Sequence, residues 1–253
     1  TGWNSRYTFS GKEKDEETGY SYFGARYYDS DLSIWLSVDP MAGKYPHQSN
    51  YVYCSNNPIK LVDPDGREVD VTDLAKTDQD NLTKSLSELT GLNVTTTERD
   101  GKTFLSYETK DGEPTGSEDA RNQLTSIIDN KDQVINVQNS DKTDIGSYAQ
   151  GNTINLDSKQ IQTMMDNMQG GLNPETMGYG MSFLHESFHT KLGGNLDETP
   201  TISRMNTIRG QLGTDYGSRI SHEFIDMGNI FYLGFGNGRS IEIPKEKYTW
   251  KIK

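Results

Sequence analysis

The chain has a single cysteine, Cys54, among 253 residues. One thiol excludes an intrachain disulfide and a metal cage built from cysteines alone; a small buried side chain is the ordinary role left to it. Long apolar runs are also missing. No stretch approaches the roughly 20 residues needed to cross a bilayer, so no membrane span is expected. Positive charge is scarce: 25 Lys and Arg stand against 37 Asp and Glu, for a net charge of −12. Binding a phosphate backbone takes clustered cations. No basic stripe is present, which argues against nucleic acid as a partner. Residues 1–10 carry no basic-then-apolar leader pattern, and with threonine first the sequence reads as the C-terminal piece of something longer.

The length suffices for one large domain or two modest ones. Residues 1–67 are dense in aromatics, among them Tyr20, Tyr22, Phe23, Tyr27, Tyr28, Trp35, Tyr51 and Tyr53, and are broken by Thr18-Gly19, Asp39-Pro40, Asn57-Pro58 and Asp63-Pro64-Asp65-Gly66. Short aromatic runs between turn signals predict β-hairpins, most clearly over 20–29 and 50–63. Residues 68–110 are polar and read as a linker or a small α/β pro-region. An amphipathic helix is expected near 74–89 and two strands near 94–97 and 103–107, turned at Asp100-Gly101. Residues 111–253 read as mixed α and β, an α+β domain. Strands are expected in 133–140 and 152–157. A helix over 158–169 carries Ile161, Met164, Met165 and Met168 at helical spacing and ends at Gly170-Gly171. A second runs from an Asn173 cap and Pro174 to Gly193-Gly194. A third covers 199–212.

The second of these helices contains His185-Glu186-Ser187-Phe188-His189. Residues four apart on a helix share one face, about 5–6 Å apart at Cβ, so the two imidazoles can take neighbouring corners of a tetrahedral Zn2+. Glu186 is rotated to one side, where it can hold a water that the metal also binds and take its proton as attack begins. This is the physical content of the H-E-x-x-H motif. A catalytic zinc needs a third protein ligand and an open position. Paired glycines at 193 and 194 allow a sharp turn back toward the helix. Asp197 is the favoured third ligand, with Glu198 and His222 as alternatives. Both acids also suit a helix start in their own right. His222 can otherwise donate to the oxyanion formed on water addition, as can Tyr216. Asn206 and Arg209 fit solvated or capping roles better than a role at the site. His47 is far off in the N-terminal segment.

Two resemblances add to this. The runs GKEKDEETGYSYFGARYYDSDLSIWLSVDP and NYVYCSNNPIKLVDPDG, within residues 1–67, resemble the end of an Rhs repeat-associated core. The resemblance implies the last part of a β-cage that encloses a variable C-terminal toxin, restrained by a cognate immunity protein and by the parent cage. It also implies self-cleavage near Gly66-Arg67 by Asp39 and Asp63, although Arg67 departs from the family's Gly-Leu. More loosely, SFLHESFHTKLGG followed by TISRMNTIRGQLG resembles metallopeptidase tips of polymorphic toxins. That implies a zincin-like metallopeptidase domain with His185, Glu186 and His189 in their family roles. Leu192 and Asn195 replace the glycine and histidine of the metzincin continuation. The reading that results is a zinc endopeptidase toxin acting on a protein or peptide, secreted or delivered to a target cell, with the producer's surface also possible. The alternative is a non-catalytic Rhs module with at most a structural metal.

Overall fold

The structure is a computed structural model. It describes residues 69–248 except 100, 111, 113, 114, 131, 132 and 143–145, together with residues 15, 17–22, 27–29, 31, 32 and 34–37. The chain divides into two compact units, Thr1–Asp65 and Gly66–Lys253.

In the first unit, β1 (Ser21–Tyr22), β2 (Tyr27–Asp29) and β3 (Ile34–Trp35) form an antiparallel sheet in that order. Tyr28 pairs across the strands with Trp35. Their rings meet edge to face with centroids 5.5 Å apart, the arrangement that aromatic quadrupoles favour, and both side chains are buried. The first hairpin predicted from sequence is therefore present. The second lies outside the described residues, as do Asp39, His47, Cys54, Asp63, Gly66 and Arg67.

The second unit is built on a six-stranded mixed sheet. Its strands are β4 (Val69–Asp70), β5 (Asn93–Arg99), β6 (Lys102–Glu108), β7 (Ile135–Asn139), β8 (Tyr148–Gln150) and β9 (Thr153–Leu156), in the order β5-β6-β4-β7-β9-β8. β4, β7 and β9 run parallel, and the outer pairs are antiparallel. The stretch expected to be a linker or pro-region thus supplies half of this sheet. Its alternating β5–β6 hairpin, turned at Gly101 with φ +74°, has an apolar face that needs the same core as the later strands.

Helices α1 (Lys76–Thr90), α2 (Glu118–Ile128), α3 (Ser158–Asp166), α4 (Tyr179–His189) and α5 (Glu198–Leu212) complete the layer. Leu82, Leu86 and Leu89 recur along one face of α1 and pack with Leu124 and Ile127 of α2, Phe183, Leu184 and Phe188 of α4, and Ile135, Val137, Ile154 and Leu156 of the sheet. α2 was not foreseen, although Ser117 caps it by accepting from the Ala120 N–H and Ala120, Leu124 and Ile127 follow helical spacing. The single helix expected over 173–194 is two. Pro174–Met177 is a 3-10 turn capped by Asn173, and the extended Gly178 (φ −70°, ψ −177°) separates it from α4. A four-stranded sheet, β10 (Met168–Gln169), β11 (Ile225–Asp226), β12 (Ile230–Phe235) and β13 (Arg239–Pro244) in the order β10-β13-β12-β11, buries Leu233, Phe235, Ile241 and Ile243 with Met164.

α4 is set tightly against α1. The Gly180 N–H donates to Ser85 Oγ at 2.8 Å, which satisfies one of the first-turn donors that a helix leaves unpaired. A Cβ at Gly180 would lie 2.7 Å from Ser85 Oγ and 2.8 Å from Leu89 Cδ1. Gly180→Ala should therefore destabilise the chain by about 1–2 kcal/mol, the cost of overpacking less the helix propensity gained. The readout is a lower urea midpoint at unchanged slope; a midpoint at or above wild type would rule out this close helix contact.

Candidate metal centre

The site is assembled at the C-terminal end of α4. His185 and His189 emerge from the helix face opposite Phe183, Leu184 and Phe188, and Glu186 is almost wholly buried beside them. After His189 the chain reverses. Thr190 Oγ1 donates to the Ser187 carbonyl at 2.7 Å and accepts the Gly193 N–H at 3.1 Å. A Cβ at Gly193 would strike the Ser187 carbonyl and Phe188 Cα, so the backbone passes where no side chain fits. Gly194 and Asn195 take positive φ, 100° and 50°, a region open to glycine and tolerated by asparagine. The return strand then docks: the Leu196 N–H donates to the Phe188 carbonyl at 3.0 Å, and the Leu196 carbonyl lies 2.7 Å from His189 Nδ1.

That turn delivers Glu198, the first residue of α5, onto the imidazoles. Its Oε2 lies 3.4 Å from His185 Nε2 and 3.5 Å from His189 Nε2, and the two Nε2 atoms are 3.3 Å apart. Zn–N and Zn–O bonds of about 2.0–2.1 Å at tetrahedral angles separate ligand atoms by about 3.3–3.4 Å, so these three donors already stand at the edges of such a site. Glu198 Oε2 is buried yet makes no hydrogen bond, although three imidazole nitrogens surround it. A buried acceptor without a hydrogen bond calls for an explanation, and a cation between these atoms supplies one. The expectation of Asp197 as the third ligand is corrected on geometry. Asp197 is the N-cap of α5 and lies on the exposed rim of the cavity, one residue short of the position that faces the histidines.

His222 sits on the loop after α5, with Nε2 3.0 Å from Glu198 Oε2 and its ring stacked on His185 at 5.7 Å. His185, Glu198 and His222 also form a mutually close set of possible ligand atoms. Two trios therefore share His185 and Glu198. We favour the one with His189, because its three separations are nearly equal and its Nδ1 is anchored to the Leu196 carbonyl, which orients a metal-binding ring. His222 then stands beside the centre, in reach of a group bound there. Tyr216, the other oxyanion candidate, is buried within a 3-10 turn and does not line the cavity.

Electrostatics follow from this packing. Burial pushes His185 down to about 4, so its ring is neutral at pH 7. The adjoining Glu198 carboxylate pushes His189 up to about 9, aided by the Leu196 carbonyl against the effect of burial. Burial alone would raise Glu198, but the His185 and His189 rings override it and hold the carboxyl well below its usual range. His185, His189 and Glu198 would hold a metal with both rings neutral, so binding there would be coupled to loss of a proton from His189.

The cavity beside the centre has a volume of about 380 Å³ and reaches from Tyr148 of β8 to Arg209, Arg219 and Phe224. The sequence offered no sign of Arg219 or of the role of Asn206. Asn206 bonds both backbone groups of Arg219, accepting its N–H and donating to its carbonyl at 2.9 Å each. Arg219 in turn donates to the carbonyls of Ser221 and His222. This clamp, linking α5 to the loop, is what places His222.

No family model matches the chain, and no solved structure matches it. Among curated proteins it is similar to the tRNA nuclease WapA of Bacillus subtilis strain 168, at 44% identity over 69 residues, covering 26% of this chain and 3% of the relative. It is similar to toxin subunit YenC2 of Yersinia entomophaga, at 48% over 58 residues, 23% of this chain and 6% of the relative. Salivary gland surface protein 1 of Aedes aegypti matches at 39% over 61 residues, 24% of this chain and 2% of the relative. The chain spans only a few per cent of the length of these relatives. WapA and YenC2 are in keeping with a protein of polymorphic-toxin type, and the comparisons overturn one expectation. The relatives named for an enzymatic activity are tRNA nucleases, not peptidases, so the zinc metallopeptidase assignment does not stand, and a protein or peptide substrate has no support from them. The physical reason is that H-E-x-x-H specifies where a cation and its water sit; the bond that water attacks is decided by the rest of the cavity.

Replacing Glu198 by alanine should lower zinc affinity by more than about 100-fold, beyond the roughly 10–100-fold typical of losing an outer partner of a ligand. Asp197→Ala should change it less than about threefold. Competitive titration against a chromophoric chelator measures both, and equal losses would refute the assignment of Glu198 over Asp197.

Proposed function

We propose that the unit Gly66–Lys253 is a zinc-dependent hydrolase and the effector part of a longer, delivered polymorphic-toxin-type protein, held in check by an immunity partner. One observation carries the proposal: three candidate ligand atoms, His185 Nε2, His189 Nε2 and Glu198 Oε2, stand 3.3–3.5 Å apart on two helices joined by a tight turn. The printed names of the relatives, toxin subunits and tRNA nucleases, support the toxin half of the reading. When bound, the cation supplies a Lewis acid that brings its water's pKa to about 7.

The chain's own residues do the rest. His185 offers a neutral Nε2 because burial disfavours its charged form. His189 is held in register by donating Nδ1–H to the Leu196 carbonyl, which leaves Nε2 facing the centre. Glu198 contributes the single negative charge of the ligand set. Glu186, next to His185 on α4 and lining the cavity, accepts the proton of the attacking water at its carboxylate and returns it to the leaving group. His222 Nε2 stands where it can donate to charge that develops on the attacked group. The apolar side chains of Met177, Met181 and Phe224 line the same cavity and lower the local dielectric, which strengthens these interactions.

The test is inducible expression of the full chain in a bacterial cytoplasm, with zinc measured on the purified protein. Wild type should bind one zinc per chain and arrest growth. Glu186→Gln should keep the zinc and restore growth to that of an empty vector, a loss of at least about 100-fold in a general-base step. Growth arrest by Glu186→Gln at full strength would exclude the role given to Glu186, and a chain without stoichiometric zinc would exclude the centre. Total RNA from the arrested cells reports whether phosphodiesters are the bonds cut.

A further inference from the structure

The cavity holds two charges that the centre does not use. Arg209 and Arg219 both line it, and they are only 2% and 8% exposed. Arginine is rarely so buried unless it faces a carboxylate. Here every hydrogen-bond partner is neutral. Arg209 donates from Nε to Thr176 Oγ1 and from Nη2 to the Thr176 carbonyl, each at 3.1 Å, and from Nη1 to Asn206 Oδ1 at 3.2 Å. Its remaining contacts are the Met177 sulfur and the face of Phe235. Arg219 donates from Nε to the Ser221 carbonyl at 2.8 Å and from Nη2 to the His222 carbonyl. Its Nη1 donors find no partner among the described residues, on a side chain that is nine-tenths buried and borders the cavity.

The anions within reach belong to the centre. Glu198 and Glu186 act on Arg219 through space, and a dication bound by Glu198, with Glu186 beside it, takes up that charge. Asp197 and Glu223 also border the cavity, but on its exposed rim, where water and salt screen them. With the cation in place, the interior of the cavity therefore carries positive charge in excess, inside a chain whose net charge is −12. Burial pushes Arg209 down to about 9 and Arg219 to about 10, and both stay protonated at pH 7.

We infer that Arg219, with Arg209 adding its field, forms an anion subsite beside the metal centre, which takes one carboxylate or phosphate group of the ligand through the open Nη1 edge of Arg219. The inference rests on the metal-dependent reading of the site, since the cation is what would free Arg219 from the charge of Glu186 and Glu198. A guanidinium fork suits either oxyanion. The acidic rim and net charge favour an isolated anion on an otherwise uncharged ligand over a polyanion, whose further charges would meet Asp197 and Glu223. Arg219 is thus a specificity-determining residue for whatever bond the centre hydrolyses.

The probes are inorganic phosphate and glutarate, each titrated into the zinc-loaded full chain by calorimetry and thermal melting. At least one should bind and raise the melting temperature at about 50 mM, and the stronger of the two identifies the group. Arg219→Gln should weaken that binding by about tenfold or more, as expected for losing a charge-assisted hydrogen bond, while still holding one zinc per chain. Arg219→Lys should recover part of the loss. Binding within twofold of wild type in Arg219→Gln would show that the anion sits on the metal alone and would overturn the subsite. Because Arg219 also clamps the His222 loop, the variant can lose its fold. The wild-type arm then decides, and a melting temperature unmoved by either anion overturns the inference by itself. Zinc stoichiometry on the same samples tells a missing metal centre apart from a missing anion subsite.

Discussion

The candidate site depends on one short backbone exchange: Leu196 donates its N–H to the Phe188 carbonyl and accepts from His189 Nδ1. The first bond ties the start of α5 to the last turn of α4. The second fixes the ring plane of His189 and its tautomer. Neither survives unless the chain can reverse within six residues of the helix end, and that needs Gly193 against the Ser187 carbonyl and Gly194 and Asn195 at positive φ. Strain of this kind is held only where surrounding packing over-determines it. Here the packing is that of Phe183, Leu184 and Phe188, each 3% exposed or less. The buried side of α4 thus holds the helix that presents the two imidazoles on its other side.

Much of this was legible in the residues. The spacing of His185 and His189, the glycine pair after them, and the apolar positions of α4 are local features, and local periodicity reads them correctly. The hairpins at 20–29 and 93–108 were legible for the same reason. What failed needed long-range information. Residues 68–110 read as a linker or a small α/β pro-region because β5 and β6 each offer one apolar face, and α1, which packs on β5, belongs to a core completed by later elements. The break at Gly178 was hidden because Asn173-Pro174 is a sound helix start; the residues did start a helix, a single 3-10 turn.

The structure sets Glu198 against the imidazoles where the sequence favours Asp197, a difference of one residue with a clear cause. Both acids follow the turn, and their distances along the chain hardly differ. What separates them is that Asp197 is the N-cap, with φ −71° and ψ 168°, whereas Glu198 is the first helical residue and has already rotated toward α4. A helix boundary is the least certain feature of a sequence reading, and here a ligand assignment rested on one. The roles of Asn206 and Arg219 were out of reach altogether, because they arise from a contact between α5 and a loop thirteen residues later that no periodicity announces.

H-E-x-x-H points to a cation and an activated water because helix geometry leaves its three specified positions little freedom. It is weak evidence for the substrate, since an activated water attacks an amide carbonyl or a phosphorus centre under the same electrostatic assistance. The discriminating residues must then lie outside the motif, in groups that meet the rest of the ligand. In this cavity the groups that stand out are buried guanidiniums without a carboxylate partner, in a chain that is acidic overall. A net charge of −12 describes the surface met by a distant partner. Inside a pocket of low dielectric, two nearby cations outweigh many screened anions on the rim, so the argument from composition against a phosphate backbone concerns polyanions laid across the surface and does not extend to one charged group taken into the cavity.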